Sequence, residues 1–296
     1  MRALRILDDR KRELLFLAPP RRIVSLVPSD TLSLFALGAG DRVVGRTRYC
    51  TEPHQARNLP EVGGTKDVDV EAVLRLEPDL IVCNQEENSR KHVLALIRSR
   101  VPVLVGFPRT VAAGLAHLAR LARIVLPGDE KVKELLREGY QALREAQADA
   151  RPKLRAFVPI WMDPLMTING ETFISDALWL AGAENVFADR ERRHPLAADL
   201  VPELMAAEPG ERDTRYPRIT LEEVLARAPG VILLPDEPHP FSEADAAIFR
   251  AQQTPAALSG RVLLCGGRDL SWYGSQSVAG IPRLRALVES LRQDCR

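Results

Sequence analysis

The sequence has few aromatic residues, no long apolar run and no excess of either charge, and these shortages exclude several classes of protein. Lys and Arg number 41 against 40 Asp and Glu in 296 residues, so the formal net charge is +1. Proteins that bind nucleic acid concentrate basic residues against phosphates, so we expect no nucleic-acid partner. No apolar stretch approaches the ~20 residues of a spanning helix, which argues against a transmembrane chain.

Motifs of catalysis and metal binding are also missing. The sequence has no GxSxG elbow, GxxxxGK[ST] loop, HExxH pair or CxxC pair, so we expect no catalytic residue, no metal site and no intrinsic cofactor. His54 and His239 follow predicted strands, which leaves a receptor for free zinc or manganese as an alternative. The four cysteines are expected to be unpaired, with a disulfide between Cys50 and Cys83 as the alternative.

The first twenty residues do not follow the pattern of a secretory signal, which has a basic start and ~7–15 uninterrupted apolar residues. Charged residues fill positions 8–13, and the apolar run at 14–18 is short. The segment instead predicts two short strands around a turn. These residues predict no export signal and leave a cytoplasmic location as an alternative.

Short apolar runs alternate with helix-length segments along the chain. We predict strands at 22–27, 42–45, 80–83, 102–107, 154–160, 231–235 and 261–265. Amphipathic segments between them, such as 110–125 and 242–251, predict helices. This alternation is typical of parallel sheets covered by helices, so the predicted class is α/β.

A charged, helix-forming segment at 128–151 stands between two prolines near the middle of the chain. It predicts one long helix of about 36 Å at 1.5 Å per residue. We interpret it as a connector, which gives a first α/β lobe at 1–126, the connecting helix at 127–151 and a second α/β lobe at 152–296.

An internal repeat supports two lobes. Residues 69–86 align with residues 220–237 at a constant offset of 151, with six of 18 positions identical. Each copy predicts a helix, a proline and a buried strand. Asp69 and Thr220 are good N-caps, and Thr220 with Glu223 fits a capping box. We expect two parallel-sheet lobes with a ligand cleft between them.

Aromatic residues form only 5% of the chain, yet several follow predicted strands. Ligands of parallel sheets bind beyond the carboxyl ends of the strands. Tyr49, Trp161, Trp272 and Tyr273 lie in such loops. Aromatic side chains on loops suit a large, partly apolar ligand held by contact area. We therefore predict that these four residues bind the ligand.

Four stretches carry a family resemblance: RIVSLVPSDTLSLFALGAGDRVVG, YCTEPHQARNLPEVGGTKDVDVEAVLRLEPDLIV, INGETFISDALWLAGAENVFAD and YPRITLEEVLARAPGVILL. They resemble the helical-backbone substrate-binding proteins of ABC importers, most nearly the cobalamin-binding branch and next the iron–siderophore and haem branches. The resemblance runs from about residue 21 to the end. It implies two α/β lobes bridged by one long helix, a metal chelate between them, and a periplasmic or cell-envelope location.

Position by position, the resemblance implies roles for five residues. Tyr49, Tyr216 and Trp272 fall where the family has aromatic residues beside the ligand. Glu71 and Glu222 fall where the family has one exposed glutamate on each lobe, and those glutamates form salt bridges to arginines of the permease dimer.

Besides the predicted lack of an export signal, the sequence departs from the cobalamin pattern in two places. First-lobe tryptophans of that branch are replaced near Lys66 and Asn84. About twenty extra residues, at 193–215, precede the YPRIT motif, and for them we expect a flap or a short helix near the cleft of the second lobe, with a loose surface loop as the alternative. The predicted function is capture of a metal chelate, a corrinoid first and an iron–siderophore or haem next, by a monomeric, non-enzymatic protein that delivers it to an ABC permease. The alternative is a cytosolic enzyme or carrier on a chelatase-like scaffold.

Overall fold

The structure, a computed structural model, describes residues 3–201, 204 and 206–293. The chain divides into two compact units. Lobe 1 is Met1–Gln141 with Trp272–Val278, and lobe 2 is Ala142–Ser271 with Ala279–Arg296. The division falls inside a helix, whereas the predicted boundaries treat that helix as a separate connector. Those boundaries stay a prediction, as does the cleft between the lobes.

The described residues of lobe 1 form six strands and four complete helices. The strands are β1 Leu4–Leu7, β2 Glu13–Phe16, β3 Ile23–Ser25, β4 Val43–Arg46, β5 Leu80–Asn84 and β6 Val103–Gly106. The helices are α1 Pro28–Ala36, α2 Val70–Arg75, α3 Arg90–Arg98 and α4 Val111–Val125, with single 3₁₀ turns at Gly40–Arg42 and His54–Asn58.

The main sheet of lobe 1 is parallel, in the order β4-β3-β5-β6. Side chains alternate between its two faces because successive residues of a strand point in opposite directions. Leu80 and Val82 pack into one apolar cluster with residues of α1 and α4, whereas Ile81 and Cys83 pack into another with residues of α2 and α3. The strands are therefore mostly apolar, as expected of a sheet covered on both faces, and polar residues occur where β3, β4 and β5 end, at Ser25, Arg46 and Asn84.

The N-terminal segment forms the predicted hairpin of two short strands. β1 and β2 pair antiparallel, with Leu4 opposite Phe16 and Leu7 opposite Glu13. Ile6, Leu14 and Phe16 are buried in the same cluster as Leu80. Alternate residues, among them Leu15, are exposed, so the hairpin covers the lobe with one face only.

The predicted long helix is α5, Glu130–Gln147. It begins two residues after Gly128, which has a φ of +88°, a backbone conformation that glycine adopts without strain. It ends before Arg151, so it is shorter at both ends than the predicted 128–151. The boundary between the lobes falls between Gln141 and Ala142 within it.

Lobe 2 contains the remaining strands and helices. The strands are β7 Leu154–Phe157, β8 Pro159–Met162, β9 Leu165–Thr167, β10 Ala183–Asn185, β11 Val231–Pro235 and β12 Val262–Cys265. The helices are α6 Phe173–Ala181, α7 Leu221–Arg227, α8 Glu243–Arg250, α9 Pro255–Leu258, α10 Arg268–Ser271 and α11 Ser275–Gln293, the first residues of which belong to lobe 1.

The main sheet of lobe 2 is also parallel, in the order β10-β7-β11-β12. Phe157, Ile232 and Phe249 lie at the centre of its apolar core. The two parallel sheets in separate lobes confirm the predicted α/β class. One strand prediction is wrong: 154–160 is two strands, because β8 leaves the sheet after Val158 and pairs antiparallel with β9.

Several local predictions can be compared with the structure. Asp69 and Thr220 are N-caps, accepting hydrogen bonds from the main-chain N–H groups of Ala72 and Glu223. Cys50, Cys83 and Cys265 are free, so Cys50 and Cys83 do not pair; Cys295 lies outside the described residues. Among the described residues, no helix is long and apolar enough to span a membrane.

Candidate functional site

One part of the candidate site is the loop that follows β4 in lobe 1. Tyr49 is 55% exposed there, and the guanidinium carbon of Arg48 lies 5.8 Å from the centre of its ring. Arg48 donates two hydrogen bonds to Asp67, at 3.0 and 2.9 Å, and this hydrogen bonding lowers the pKa of the Asp67 carboxyl. The loop thus presents an accessible aromatic ring beside a paired cation.

The two positions that depart from the cobalamin pattern differ in accessibility. Lys66 is exposed, and its Nζ donates to the carbonyl oxygen of Glu86 at 2.6 Å. Asn84 is buried at the end of β5, where its Oδ1 accepts hydrogen bonds from the main-chain N–H groups of Glu86 and Glu87. Lys66 is therefore accessible to a ligand, whereas Asn84 shapes its own loop.

Tyr273 is an internal anchor of lobe 1. Its ring is 3% exposed, and its hydroxyl donates to Asp30 Oδ2 at 2.9 Å and accepts from Asn84 Nδ2 at 3.2 Å. His117 Nε2 lies 2.9 Å from Asp30 Oδ1, and the His117 and Tyr273 rings meet edge to face at 5.6 Å. Burial is the largest cause that raises the pKa of Tyr273 well above its ordinary value, and the nearby Asp30 charge is the next.

This burial corrects the expectation that the stretch containing Tyr273 is an exposed loop, too polar and rich in glycine for a core. The preceding residue, Trp272, is also buried, so the glycine-rich stretch is not the exposed loop that its polarity suggested. Ligand contacts by Trp272 and Tyr273 stay predictions.

In lobe 2 the main-chain segment 214–219 runs antiparallel beside β9 of the two-stranded β8-β9 hairpin. The N–H of Thr167 donates to Pro217 O at 3.1 Å, and the N–H of Ile219 donates to Leu165 O at 2.9 Å. Met166 is bridged to Arg218. The YPRIT motif is therefore held in extended form along β9.

This pairing brings two predicted ligand-binding residues to one face. Trp161 is opposite Met166 on β9, and Met166 is opposite Arg218. Tyr216 lies two residues before Arg218, and both are half-buried whereas residues 215, 217 and 219 are buried, which places the two side chains on the same side of the segment. We call these four residues the platform. The neighbours in between, Leu165, Thr167, Pro217 and Ile219, are buried, so the platform is the outward face of this small sheet.

The loop after β11 extends the platform. The ring of His239 lies 5.4 Å from that of Trp161 and 4.6 Å from that of Phe241, both in edge-to-face contact. Trp161 is 45% exposed, with its Nε1 donating to Asp163 O at 3.0 Å. The sequence placed His239 in a loop after a strand, within reach of a cleft, and suggested metal binding as an alternative; its place beside Trp161 depends on the turn between β7 and β8.

No group of three or more His, Cys, Asp or Glu side chains suited to a metal ion is found among the residues that the structure describes. His54 is exposed in a 3₁₀ turn of lobe 1, and His239 is half-buried in lobe 2.

The insertion contains the short helix that was expected as one of two possibilities, a 3₁₀ turn at Leu196–Asp199. Ala198 and Asp199 are buried. Positions 202, 203 and 205 of the insertion lie outside the described residues. The described part is fastened to lobe 2 through the carboxylate of Asp199, so it is not a loose surface loop.

The two candidate docking glutamates lie in equivalent places. Glu71 is in the first turn of α2 and Glu222 in the first turn of α7, and both are exposed. Hydrogen bonds from its own main-chain N–H and from the Thr220 side chain lower the pKa of Glu222. The predicted capping box is wrong in one respect: Glu223 accepts a hydrogen bond from Arg190 instead of returning to the N-cap.

The sequence pattern of the periplasmic binding protein family matches residues 23–266. The chain belongs to this family. A vitamin B12-binding protein of Yersinia pestis (strain Pestoides F) is 29% identical over 215 residues, which are 72% of this chain and 69% of the relative. The predicted resemblance to substrate-binding proteins is thus confirmed at the level of the family.

Two solved structures show the same fold at low sequence identity. The periplasmic vitamin B12 binding protein BtuF of Vibrio cholerae superposes with a TM-score of 0.74 at 21% identity, covering 93% of this chain and 98% of that one. The periplasmic heme-binding protein RhuT from Roseiflexus sp. RS-1 gives a TM-score of 0.71 at 18% identity, with coverage of 93% and 99%.

Proposed function

We propose that this periplasmic binding protein captures cobalamin or a closely related corrinoid and delivers it to an ABC importer, without catalysing a reaction. The observation that carries the proposal is the platform, which presents the rings of Trp161 and Tyr216 and the thioether of Met166 on one outward face of lobe 2. The relatives named for vitamin B12 binding support the same ligand class.

The chemistry of the platform suits a broad ligand with apolar faces. Aromatic rings provide a large contact area at low cost in side-chain entropy, and a methionine adapts its shape to an irregular surface. In lobe 1, the exposed ring of Tyr49 offers a contact of the same kind. Arg218 and Lys66 supply cations at the two surfaces, which suits the polar substituents of a chelate.

Haem is the next ligand class, because structural relatives include heme-binding proteins. Lys66 also stands near a position where the cobalamin branch has a tryptophan, and its ammonium group pairs well with a carboxylate. A ferric siderophore is third.

The test is a titration of the purified protein with cyanocobalamin, haemin and ferrichrome, followed by absorbance and calorimetry. We expect tight binding of cyanocobalamin. Trp161→Ala should weaken it by about 30-fold, since truncating a central aromatic contact typically costs about 2 kcal/mol. Trp179→Ala is the matched control, because Trp179 is equally exposed but lies on α6, outside the platform; it should leave the affinity unchanged.

Other outcomes separate the alternatives. Tight binding of haemin alone would assign the haem class. Tight zinc binding that is lost in a His54→Ala, His239→Ala double variant would show a free-metal receptor. Chemical conversion of any of the three chelates would show an enzyme on this fold and contradict the non-catalytic part of the proposal.

We further propose that Glu71 and Glu222 dock the protein on a permease dimer. Each is exposed in the first turn of a helix, and hydrogen bonds from its own main-chain N–H and from Thr220 lower the pKa of Glu222. An arginine of a partner would form a charge-assisted contact with each, strengthened where docking excludes water.

The docking test uses the double variant Glu71→Ala, Glu222→Ala with the importer encoded nearest to the gene. We expect an unchanged melting temperature and ligand affinity but loss of association. Glu243→Ala is the control, because Glu243 is likewise exposed in the first turn of a helix but has no counterpart in the repeat. If the double variant still associates with the importer, the docking proposal is contradicted.

The family relationship also supports a periplasmic or cell-envelope location, which cell fractionation tests against the cytoplasmic alternative. We propose that the protein is a monomer, for which light scattering across a range of concentrations is the measurement.

A further inference from the structure

The insertion carries a buried carboxylate that joins three parts of lobe 2. Asp199 is 3% exposed. Its Oδ1 accepts hydrogen bonds from Arg190 Nη1 at 3.1 Å and from the main-chain N–H of Arg193 at 2.6 Å, and its Oδ2 accepts from the main-chain N–H of Arg218 at 3.2 Å. The carboxylate therefore bonds both the insertion and the segment that runs beside β9.

The guanidinium of Arg190, also buried, extends these connections. Its Nη2 donates to the carbonyl oxygens of Asp199, at 2.9 Å, and Arg218, at 3.2 Å. Its Nε donates to Glu223 Oε1 on α7 at 2.8 Å. Both main-chain polar groups of Arg218 are thus bonded to the pair, which also holds the first turn of α7.

These hydrogen bonds connect the platform, to which the proposed function assigns ligand binding, with the start of α7, to which it assigns docking. Arg218 is a member of the platform and lies two residues after Tyr216. Glu223 follows Glu222, the candidate docking residue of this lobe. The pair therefore spans from the ligand-facing strand to the docking helix through direct hydrogen bonds.

A buried ion pair adds little to the free energy of unfolding, because the cost of removing two charges from water is about as large as the energy of their attraction. The planar guanidinium of an arginine, however, donates several hydrogen bonds in fixed directions and so holds several acceptors in one arrangement. We propose that Arg190 and Asp199 are positioning residues that hold segment 214–219 and the start of α7 as one piece. On the proposed function, a ligand on the platform then stabilises the orientation in which α7 presents Glu222.

The first test needs no ligand. Amide hydrogen exchange is compared between the wild type and the double variant Arg190→Met, Asp199→Leu, which replaces both members of the buried pair with apolar side chains, so that neither charge is left without the other. Exchange should rise together in peptides covering 214–219 and 221–227. We expect about tenfold or more, because the loss of one hydrogen bond to a charged group, ~1.5 kcal/mol, corresponds to that factor.

Arg227→Met is the matched control. Arg227 lies on the same helix and bonds Val186 O and Asp189, so it fastens the end of α7 without touching the platform strand. Its replacement should raise exchange in 221–227 alone. If the double variant leaves 214–219 unchanged, or if it behaves like the control, the pair does not hold the two segments together.

The second test adds cyanocobalamin or haemin as the probe. In the wild type and in Arg227→Met, a bound probe should slow exchange in both peptides; in the double variant it should slow only 214–219. A probe that binds the wild type and leaves 221–227 unaffected would overturn the link to the docking helix. If neither probe binds, the proposed function is wrong, while the ligand-free comparison still decides whether the pair positions both segments.

If the double variant does not fold, Arg190→Lys replaces it. Lysine keeps a positive charge beside Asp199 but lacks the planar fork, so the same joint rise in exchange is expected. A lysine variant with wild-type exchange in both peptides counts against the positioning role.

Discussion

Replacing Tyr273 by phenylalanine tests the buried network of lobe 1 at one oxygen atom. The ring, and with it the edge-to-face contact with His117, is retained. The variant loses the hydrogen bond from the hydroxyl to Asp30 and the one that the hydroxyl accepts from Asn84. Asp30 is fully buried, so water does not readily replace the lost donor.

The magnitude follows from the kind of bond that is removed. A hydrogen bond to a charged group contributes ~1.5–3 kcal/mol, and a buried acceptor left without its donor also loses solvation. We therefore expect the free energy of unfolding of lobe 1 to fall by about 2 kcal/mol, a change of roughly 30-fold in the unfolding equilibrium constant.

The assay is urea unfolding followed by the fluorescence of Trp272, which belongs to lobe 1. The other two tryptophans, Trp161 and Trp179, are changed to phenylalanine so that one fluorophore reports on one lobe. The denaturant midpoint should fall with an unchanged slope, since the surface exposed on unfolding stays the same.

Tyr49→Phe is the control, because it removes the same atom from an exposed ring and should change stability by less than about 0.5 kcal/mol. A Tyr273→Phe variant that is as stable as this control would refute the interpretation of Tyr273 as an internal anchor.

Two further predictions concern titratable groups. Burial raises the pKa of Asp9, but hydrogen bonds from Arg120 and from the main-chain N–H of Phe107 outweigh this effect, so the pKa is lowered overall. The ionised Asp9 therefore stabilises the fold fully above about pH 4, and this contribution is lost as the pH falls through the lowered pKa. Unfolding measured between pH 7 and 2 should therefore show less acid destabilisation in Asp9→Asn than in the wild type, and identical pH profiles would contradict this. Burial raises the pKa of Cys265 to about 12, so its thiol should react with iodoacetamide at pH 8 far more slowly than a free thiol of pKa ~8.5; peptide mass spectrometry showing labelling at the free-thiol rate would count against the burial.

Local sequence signals predicted much of the fold. The strand at 231–235 and the caps at Asp69 and Thr220 have the predicted positions, because an uninterrupted apolar run and a side-chain oxygen before a helix act within a few residues. The single strand predicted at 154–160 was wrong, because an apolar run does not reveal where a strand leaves its sheet.

The candidate site was less accessible to such reasoning. Trp161 and Tyr216 share a face because segment 214–219 pairs with β9, and those segments are about fifty residues apart in sequence. The burial of Tyr273 depends on Asp30 and Asn84, whose separations from it are 243 and 189 residues. No pattern of spacing near Tyr273 indicates these partners, so a glycine-rich neighbourhood suggested an exposed loop.

The return of Trp272–Val278 to lobe 1 has a consequence for synthesis on the ribosome. The first part of this lobe ends at Gln141, and about 130 further residues must be translated before Tyr273 can reach Asp30. At ~5–20 residues per second this delay is roughly 7–26 s. During that interval the nascent lobe holds a buried carboxylate without its tyrosine donor, so we expect its final compaction to occur after translation of the second lobe. A fragment that stops at Gln141 should accordingly be more sensitive to protease than the same residues in the full chain.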